Sequence, residues 1–419
     1  MNHPQFEIST EASLIASTHP TSRIVEITLT APEARAERTR IPLNLALVID
    51  RSGSMADGKL EQAKNAVAEI LALMQPSDSV TIVDFDDRVT LTAGTDSVTP
   101  AAREELVQAV QRLEPRGSTD LGSGWLMGCE CVARLQARNR INRTLLLTDG
   151  QANQGMTSVD ELSGHAAALF ERGIATSTFG IGEDFNEYLL EAMANKGGGN
   201  YYFIDSHQAL PKILMTEFKD LAAVTLKNVV LDLAFPSDVN VELLGDWRSD
   251  LDDNHLRIFL SDLSANRKVT LFLKLLTPPG SGQVVMTGLV HGQDEEDKPF
   301  QVSCELTLQY ASVDKVALAE ASRNEALVSR FATVMVGQIS NQALQLERDG
   351  KRQEAGKIME RMMLDYSDHL PAATRQRYEQ ISREISLGLN EMSRKSFQMD
   401  AYQLKKHRHQ DQQDDKDQH

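Results

Sequence analysis

Between residues 41 and about 220, short apolar runs alternate with amphipathic segments. Residues 41–49 are almost continuously apolar, which is typical of a strand buried on both faces of a sheet. Residues 59–74 follow with apolar side chains at helical spacing. The alternation continues through several further strands and helices. It predicts an α/β domain over residues 41–220, with a mainly parallel sheet, helices on both faces and right-handed crossovers.

Residues 221–310 show a different pattern, in which six short strand candidates are separated by clusters of turn residues. This spacing is typical of an antiparallel β-sandwich. Residues 6–30 also resemble strands, and no helix lies among them. We therefore expect residues 1–40 to supply the N-terminal strands of the same sandwich. The α/β domain would then be inserted into a β-domain.

From residue 313 the pattern becomes helical, in one long stretch that a break at Asp349 and Gly350 ends. Residues 343–363 resemble a single helical hairpin of the tetratricopeptide kind, a unit that normally needs neighbours to bury its faces. We expect a helical region over residues 311–400. The last part, residues 401–419, is polar and low in complexity, so a disordered tail is expected there.

The composition is that of a globular protein, with 41% hydrophobic and 25% charged residues among 419. The formal net charge of −17 disfavours binding to nucleic acids or anionic membranes, because an acidic surface repels phosphate. Three cysteines cannot form a disulfide framework in a chain of this length. No apolar run approaches the roughly 20 residues of a membrane helix, and the N-terminus lacks signal-peptide features. A cytoplasmic location without membrane insertion is expected.

Oxygen-bearing side chains follow the first buried strand. Asp50 ends that strand, and Ser52 and Ser54 lie two and four residues later in a glycine-containing loop. In open α/β sheets, ligands bind beyond the carboxyl ends of the strands. A carboxylate and two hydroxyls are hard ligands that suit Mg²⁺, Ca²⁺ or Mn²⁺.

Two other segments predict side chains at the same edge of the sheet. Thr119 and Asp120 lie in a loop that opens a predicted helix, and Asp149 ends another buried strand directly before Gly150. Each segment alone also fits a plain structural role. Serine, threonine and aspartate cap helices, and Asp-Gly is a common turn. Their joint occurrence at strand and helix ends favours a metal site.

The combined pattern over about residues 41–215 resembles the von Willebrand factor type A (vWA) domain and its metal-ion-dependent adhesion site. The resemblance implies that Ser52, Ser54 and Thr119 bind the ion directly or nearly so. It implies that Asp50 and Asp149 bind it directly or through water, with Asp120 one step further away. Magnesium fits slightly better than calcium, because it retains waters and uses few carboxylates.

The resemblance also implies an open coordination position that an Asp or Glu of a protein partner fills. Hydroxyl ligands are neutral, so they leave net positive charge on the ion for that carboxylate to neutralise. Arg51, inside the motif, leaves two alternatives. Turned inward, it would weaken cation binding; turned outward, it would steer an acidic partner.

The favoured function is therefore a non-enzymatic, metal-dependent adaptor for protein partners. The whole layout resembles bacterial relatives of inter-alpha-inhibitor heavy chains and calcium-activated chloride-channel-like proteins. The resemblance suggests an AAA+ ATPase or a multiprotein assembly as the partner. The alternative is a metal-dependent hydrolase that uses Asp84 or Asp120 as the general base. Nucleic-acid binding is a third hypothesis, which the negative charge disfavours.

Overall fold

The computed structural model describes residues 3–34, 40–137 and 139–405. The strands of this part are β1 (Gln5–Thr10), β2 (Leu14–Ala16), β3 (Thr21–Thr30), β4 (Leu43–Asp50), β5 (Ser79–Phe85), β6 (Val89–Thr95), β7 (Ile141–Thr148), β8 (Ala175–Ile181), β9 (Gly198–Ile204), β10 (Val224–Ala234), β11 (Asn240–Leu244), β12 (Ser249–Asp252), β13 (His255–Ser264), β14 (Lys268–Thr277), β15 (Gln283–Asp294) and β16 (Pro299–Ala311). The α-helices are α1 (Lys59–Leu73), α2 (Pro100–Gln111), α3 (Leu121–Arg134), α4 (Val159–Glu171), α5 (Glu187–Lys196), α6 (Leu210–Ala222), α7 (Val313–Ala321), α8 (Glu325–Arg348), α9 (Arg352–Tyr366), α10 (Ala372–Leu387) and α11 (Glu391–Lys405).

The α/β domain contains a six-stranded sheet in the order β6-β5-β4-β7-β8-β9. All neighbouring pairs are parallel except β5 and β6, which are antiparallel because the short turn between them leaves no room for a crossover helix. Every residue of β4 and β7 is buried, since helices cover both faces. One face packs against α1, α2 and α6, and the other against α3, α4 and α5. The fold class predicted from the sequence is confirmed.

The β-sandwich consists of a four-stranded sheet, β1-β3-β14-β11, and a six-stranded sheet, β12-β13-β10-β15-β16-β2. The N-terminal strand β3 pairs along its whole length with β14, and the two sheets enclose one apolar core. The chain therefore leaves the sandwich after β3 and returns to it at β10, directly after α6. The insertion expected from the sequence is present. One pair, β16 with β2, is parallel in an otherwise antiparallel sandwich.

The C-terminal helices contact both other parts of the molecule. On the sandwich side, Arg330 of α8 donates two hydrogen bonds of 2.6 Å to the carboxylate of Glu26. Phe331 packs edge-on against Phe272. On the α/β side, the ammonium group of Lys395 in α11 lies 2.7 Å from Glu187 at the start of α5. The helices therefore bridge the sandwich and the α/β domain.

Two expectations about the C-terminal part need correction. The helical stretch after residue 313 is not continuous, because α7 ends at Ala321 and α8 begins at Glu325. Asn324 caps α8 by accepting a 3.1 Å hydrogen bond from the backbone of Leu327, which stabilises a new helix start. The disordered tail was expected to begin at residue 401, but α11 continues to Lys405. The rest of the expected tail, residues 406–419, lies outside the described residues.

Among the described residues, no helix combines the length and the apolar character that crossing a bilayer requires. The parallel strands β4, β7 and β8 end at the same edge of the α/β sheet. Asp50 ends β4, the loops that follow β4 and β7 carry Ser52, Ser54 and Asp149, and the loop before α3 carries Thr119 and Asp120.

Candidate metal centre

Asp50 is the last residue of β4 and is fully buried. One of its carboxylate oxygens accepts a 2.8 Å hydrogen bond from the backbone N–H of Ser52, and the other accepts one from the hydroxyl of Thr148. The chain then makes a short 3₁₀ turn over Gly53–Met55. In this turn the Ser52 and Ser54 hydroxyls lie 3.1 Å apart. The turn therefore holds both hydroxyls beside the end of the strand.

Asp149 brings the second strand into the same cluster. It follows β7 and is fully buried. Its Oδ1 accepts a 2.7 Å hydrogen bond from the hydroxyl of Ser54, and its Oδ2 lies 2.5 Å from the ammonium nitrogen of Lys59. Two stretches that are about a hundred residues apart in sequence thus meet at one edge of the sheet.

Thr119 brings in the third stretch. Its side chain is buried, and its backbone N–H donates a 3.1 Å hydrogen bond to the Asn153 side chain. A methyl group built on Gly150 would lie 3.1 Å from the Thr119 hydroxyl and 3.8 Å from the Ser54 hydroxyl. Both hydroxyls therefore lie around the bare backbone of Gly150. All five residues predicted as metal ligands converge, while their role as ligands remains a prediction.

The cluster holds negative charge in a poorly solvated position. Burial raises the pKa of Asp50 to about 6, although hydrogen bonds from Thr148 and Ser52 act in the opposite direction. The neighbouring carboxylate of Asp149 raises this pKa further. A buried carboxylate whose ionised form is disfavoured is stabilised by a nearby cation. The electrostatics of the site therefore fit a bound metal ion.

The donor set fits a hard cation. The residues that would hold it offer two carboxylates and three hydroxyls: Asp50, Ser52, Ser54, Thr119 and Asp149. Within the described residues, no group of three or more His, Cys, Asp or Glu side chains is placed to hold a metal. Cys129 and Cys131 are buried in the apolar core of the α/β domain. Magnesium, manganese and calcium therefore match this site better than a thiophilic metal.

The rim of the site is open to solvent. Gly53, Ser54 and Gln151 are exposed, whereas Ser52 and Thr119 beneath them are buried. Four of the five oxygen donors are thus buried, and the fifth, Ser54, lies on the exposed rim, where a group from another molecule can approach an ion held there.

The structure decides the direction of Arg51. Its side chain is only 12% exposed, and its Nε lies 2.9 Å from Asp84 and 3.1 Å from Asp86. Arg51 therefore turns inward, but two carboxylates match its charge. For this reason it neither opposes a cation strongly nor reaches an approaching partner.

Both carboxylates that a hydrolase would need as a base are already engaged. Asp84 pairs with Arg51 and accepts a hydrogen bond from the hydroxyl of Thr92. Asp120 caps α3 by accepting a 3.1 Å hydrogen bond from the backbone of Ser123. The helix-cap reading of Asp120 is therefore correct.

Sequence reasoning missed several residues around the site. Lys59, Asp86, Arg116 and Thr148 surround the cluster but belong to no recognisable motif. The one available signal was the position of Thr148, immediately before Asp149 at the end of a buried strand. Lys59 reads in sequence only as the first residue of an amphipathic helix.

Residues 44–216 match the family model of the von Willebrand factor type A domain. The chain therefore contains a vWA domain, and the five converging residues lie within it.

Similar proteins extend this finding. The uncharacterized protein YfbK of Escherichia coli (strain K12) is 28% identical over 241 residues, covering 55% of this chain and 41% of that protein. Human inter-alpha-trypsin inhibitor heavy chain H3 is 29% identical over 211 residues, covering 48% of this chain and 23% of its own length. The chain thus spans less than half the length of either relative.

Two solved structures share the whole architecture. A von Willebrand factor type A protein from Catenulispora acidiphila has a TM-score of 0.70 at 16% identity, covering 97% of this chain and 96% of its own. The ArnB paralog VWA2 from Sulfolobus acidocaldarius has a TM-score of 0.64 at 15% identity, covering 96% and 98%. At these identities, the likeness concerns the fold, which includes the sandwich and the C-terminal helices.

Proposed function

We propose that this chain is a non-enzymatic adaptor that binds a protein partner through a divalent cation. Domains of the vWA family commonly mediate metal-dependent contacts between proteins, and inter-alpha-trypsin inhibitor heavy chains are among the relatives. The observation that carries the proposal is the convergence of two carboxylates and three hydroxyls at a rim that is open to solvent. The ion would be held by Asp50, Ser52, Ser54, Thr119 and Asp149.

The charges around the site favour an anionic group on the partner. Asp50 and Asp149 together balance the charge of a divalent ion, and the three hydroxyls add none. The ammonium group of Lys59, 2.5 Å from Asp149, leaves the loaded site with a positive charge. An Asp or Glu carboxylate of the partner would neutralise that charge while completing the coordination.

The net charge of the chain makes the cation essential to such a contact. At −17, the protein as a whole repels an acidic partner. A local positive charge at the loaded site reverses this repulsion at one point of the surface. We propose Mg²⁺ as the ion, the cytoplasm as the compartment, and an AAA+ ATPase or multiprotein assembly as the partner.

Direct measurement of ion uptake tests the first step. We expect isothermal titration of the metal-free protein to show one bound Mg²⁺ or Mn²⁺, and Asp149→Ala to abolish that binding. Asp96→Ala is the matched control. Asp96 is an exposed aspartate in the loop after β6, and because β6 runs antiparallel to β5, this loop lies at the opposite edge of the sheet from the candidate site. An absence of uptake by the wild-type protein would refute the proposal.

Capture from lysate tests the second step. Wild type, Asp149→Ala and Asp96→Ala are immobilised with Mg²⁺ or with EDTA, and the bound proteins are identified by mass spectrometry. We expect a set of proteins that wild type and Asp96→Ala retain in Mg²⁺ and release in EDTA, and that Asp149→Ala does not retain. Equal recovery in all lanes would reject metal-gated capture.

A further inference from the structure

Asp86 lies behind the candidate metal centre, in the turn after β5, and is fully buried. Its Oδ2 accepts a 3.1 Å hydrogen bond from Nε of Arg51 and a second one from Nε of Arg116. Its Oδ1 accepts a 2.8 Å hydrogen bond from the backbone N–H of Arg88. Arg51 belongs to the loop of Ser52 and Ser54, and Arg116 to the loop of Thr119. One carboxylate therefore holds both hydroxyl-bearing loops.

Backbone hydrogen bonds join the same two loops to each other. The N–H of Arg116 donates to the carbonyl of Arg51 at 2.7 Å, and the N–H of Gly53 donates to the carbonyl of Gly117 at 3.1 Å. The N–H of Asp120 donates to the carbonyl of Asp86 at 2.8 Å. The residues on both sides of Thr119 are thus fixed relative to the serine loop and to Asp86.

The Thr119 loop also approaches the Asp86 turn too closely for any side chain between them. Gly117 has φ +71°, and a methyl group built on it would lie 2.5 Å from Asp87 and 3.1 Å from the Cβ of Asp86. Glycine is the residue that tolerates both this backbone conformation and this contact. The close packing indicates that the position of the loop depends on residues 86 and 87.

We infer that Asp86 is a positioning residue for the metal centre, acting through Arg51 and Arg116 without contacting the ion. This inference rests on the proposed function. The negative charge of Asp86 matters because the guanidinium groups of Arg51 and Arg116 converge on the same carboxylate oxygen. A neutral side chain of the same shape would weaken both ionic hydrogen bonds, so that only the backbone hydrogen bonds would hold the two loops in place. Residues that orient metal ligands typically affect metal affinity by about 10–100-fold.

The test measures the affinity of the full-length wild type and its variants for Mn²⁺ and for Mg²⁺ by isothermal titration calorimetry. We expect Asp86→Asn to weaken binding by about tenfold or more. Asp232→Asn is the matched control, because Asp232 in the sandwich also pairs with an arginine, Arg257, and a second basic side chain, His291. Asp232→Asn removes the charge from a partly exposed ion pair in the sandwich and should keep the wild-type metal affinity.

A double-mutant cycle separates positioning from a general loss of stability. The side chain of Arg116 is 51% exposed, so Arg116→Gln should leave the protein folded while removing the ion pair between Arg116 and Asp86. We expect Arg116→Gln to weaken metal binding in the wild type and to have little further effect in Asp86→Asn. If Asp86→Asn does not fold, Arg116→Gln alone decides the question.

The outcomes distinguish this inference from the proposed function. If the wild type binds the ion, and the affinities of both Asp86→Asn and Arg116→Gln lie within twofold of the wild-type affinity, the positioning role is wrong and the proposed metal site stands. If the wild type binds no ion, both the proposed function and the positioning role of Asp86 are wrong. If Asp232→Asn weakens binding as much as Asp86→Asn, the effect is one of global stability, and the positioning role is rejected.

Discussion

The ammonium nitrogen of Lys59 lies 2.5 Å from Oδ2 of Asp149, one of the two carboxylates in the candidate metal centre. Lys59 is the first residue of α1, and its side chain is largely buried against the site. The lysine already supplies a positive charge to an oxygen that a metal ion would share. We therefore expect it to influence how strongly the site attracts a divalent cation.

Replacing Lys59 by methionine should tighten Mg²⁺ binding, by about tenfold, because a neighbouring like charge is removed. Titration calorimetry of the metal-free protein measures the change. Lys64→Met is the control, since Lys64 lies on the same helix but pairs with Glu61. Weaker binding in Lys59→Met would show instead that the lysine is needed to orient Asp149.

Replacing Asp50 by asparagine should separate stability from metal binding. Burial raises the pKa of Asp50, so its ionised form is a cost to the metal-free fold that the neutral amide removes. We expect a higher Tm than wild type in EDTA and no further rise on adding Mg²⁺. Thermal unfolding with and without the ion measures both effects, and a lower Tm in EDTA would contradict the first.

Replacing Gly150 by alanine should obstruct the metal centre. The added methyl group would lie 3.1 Å from the Thr119 hydroxyl, where it reaches into the cluster of oxygens. We expect weaker metal uptake and a largely unchanged fold. Gly164→Ala is the control, because Gly164 is exposed within α4 and nothing lies near its missing Cβ. That change should stabilise the protein by about 0.5–1 kcal/mol and leave metal binding intact.

The stability contributed by Asp86 should disappear in acid. Burial raises its pKa, but the hydrogen bonds from Arg116, Arg88 and Arg51 outweigh this and lower the pKa to about 2. A lowered carboxyl pKa stabilises the fold above the ordinary aspartate pKa near 4, and that contribution falls as the pH drops towards 2. Urea unfolding in EDTA should therefore show the stability gap between wild type and Asp86→Asn closing from pH 4 to pH 2. A constant gap would count against an ionised Asp86.

Removing a buried ion pair between α11 and the α/β domain should lower the stability of the fold. Lys395 is almost fully buried, and its ammonium group donates to Glu187 and to the backbone carbonyl of Phe185. Lys395→Met should lower the free energy of unfolding by about 3 kcal/mol, because a buried carboxylate loses a partner. Arg383→Met removes an exposed pair with Glu379 and should change stability little. Urea titration distinguishes the two.

The sequence by itself determined the local elements and the chemistry of the candidate site. The almost continuously apolar run of β4 favours a strand that is covered on both faces, which places its last residue, Asp50, at the carboxyl edge. Hydroxyl and carboxylate side chains at the ends of such elements define a hard-cation donor set whatever the details of packing.

Only the tertiary structure decided which distant groups meet. Lys59 contacts Asp149, and Arg51 and Arg116 share Asp86, through contacts between residues far apart in the chain that leave no periodic signal. The docking of α11 depends likewise on buried charges such as Lys395, which in sequence read as the polar face of a helix. Such pairings depend on desolvation and exact distance, which hydrophobic spacing along one chain segment does not encode.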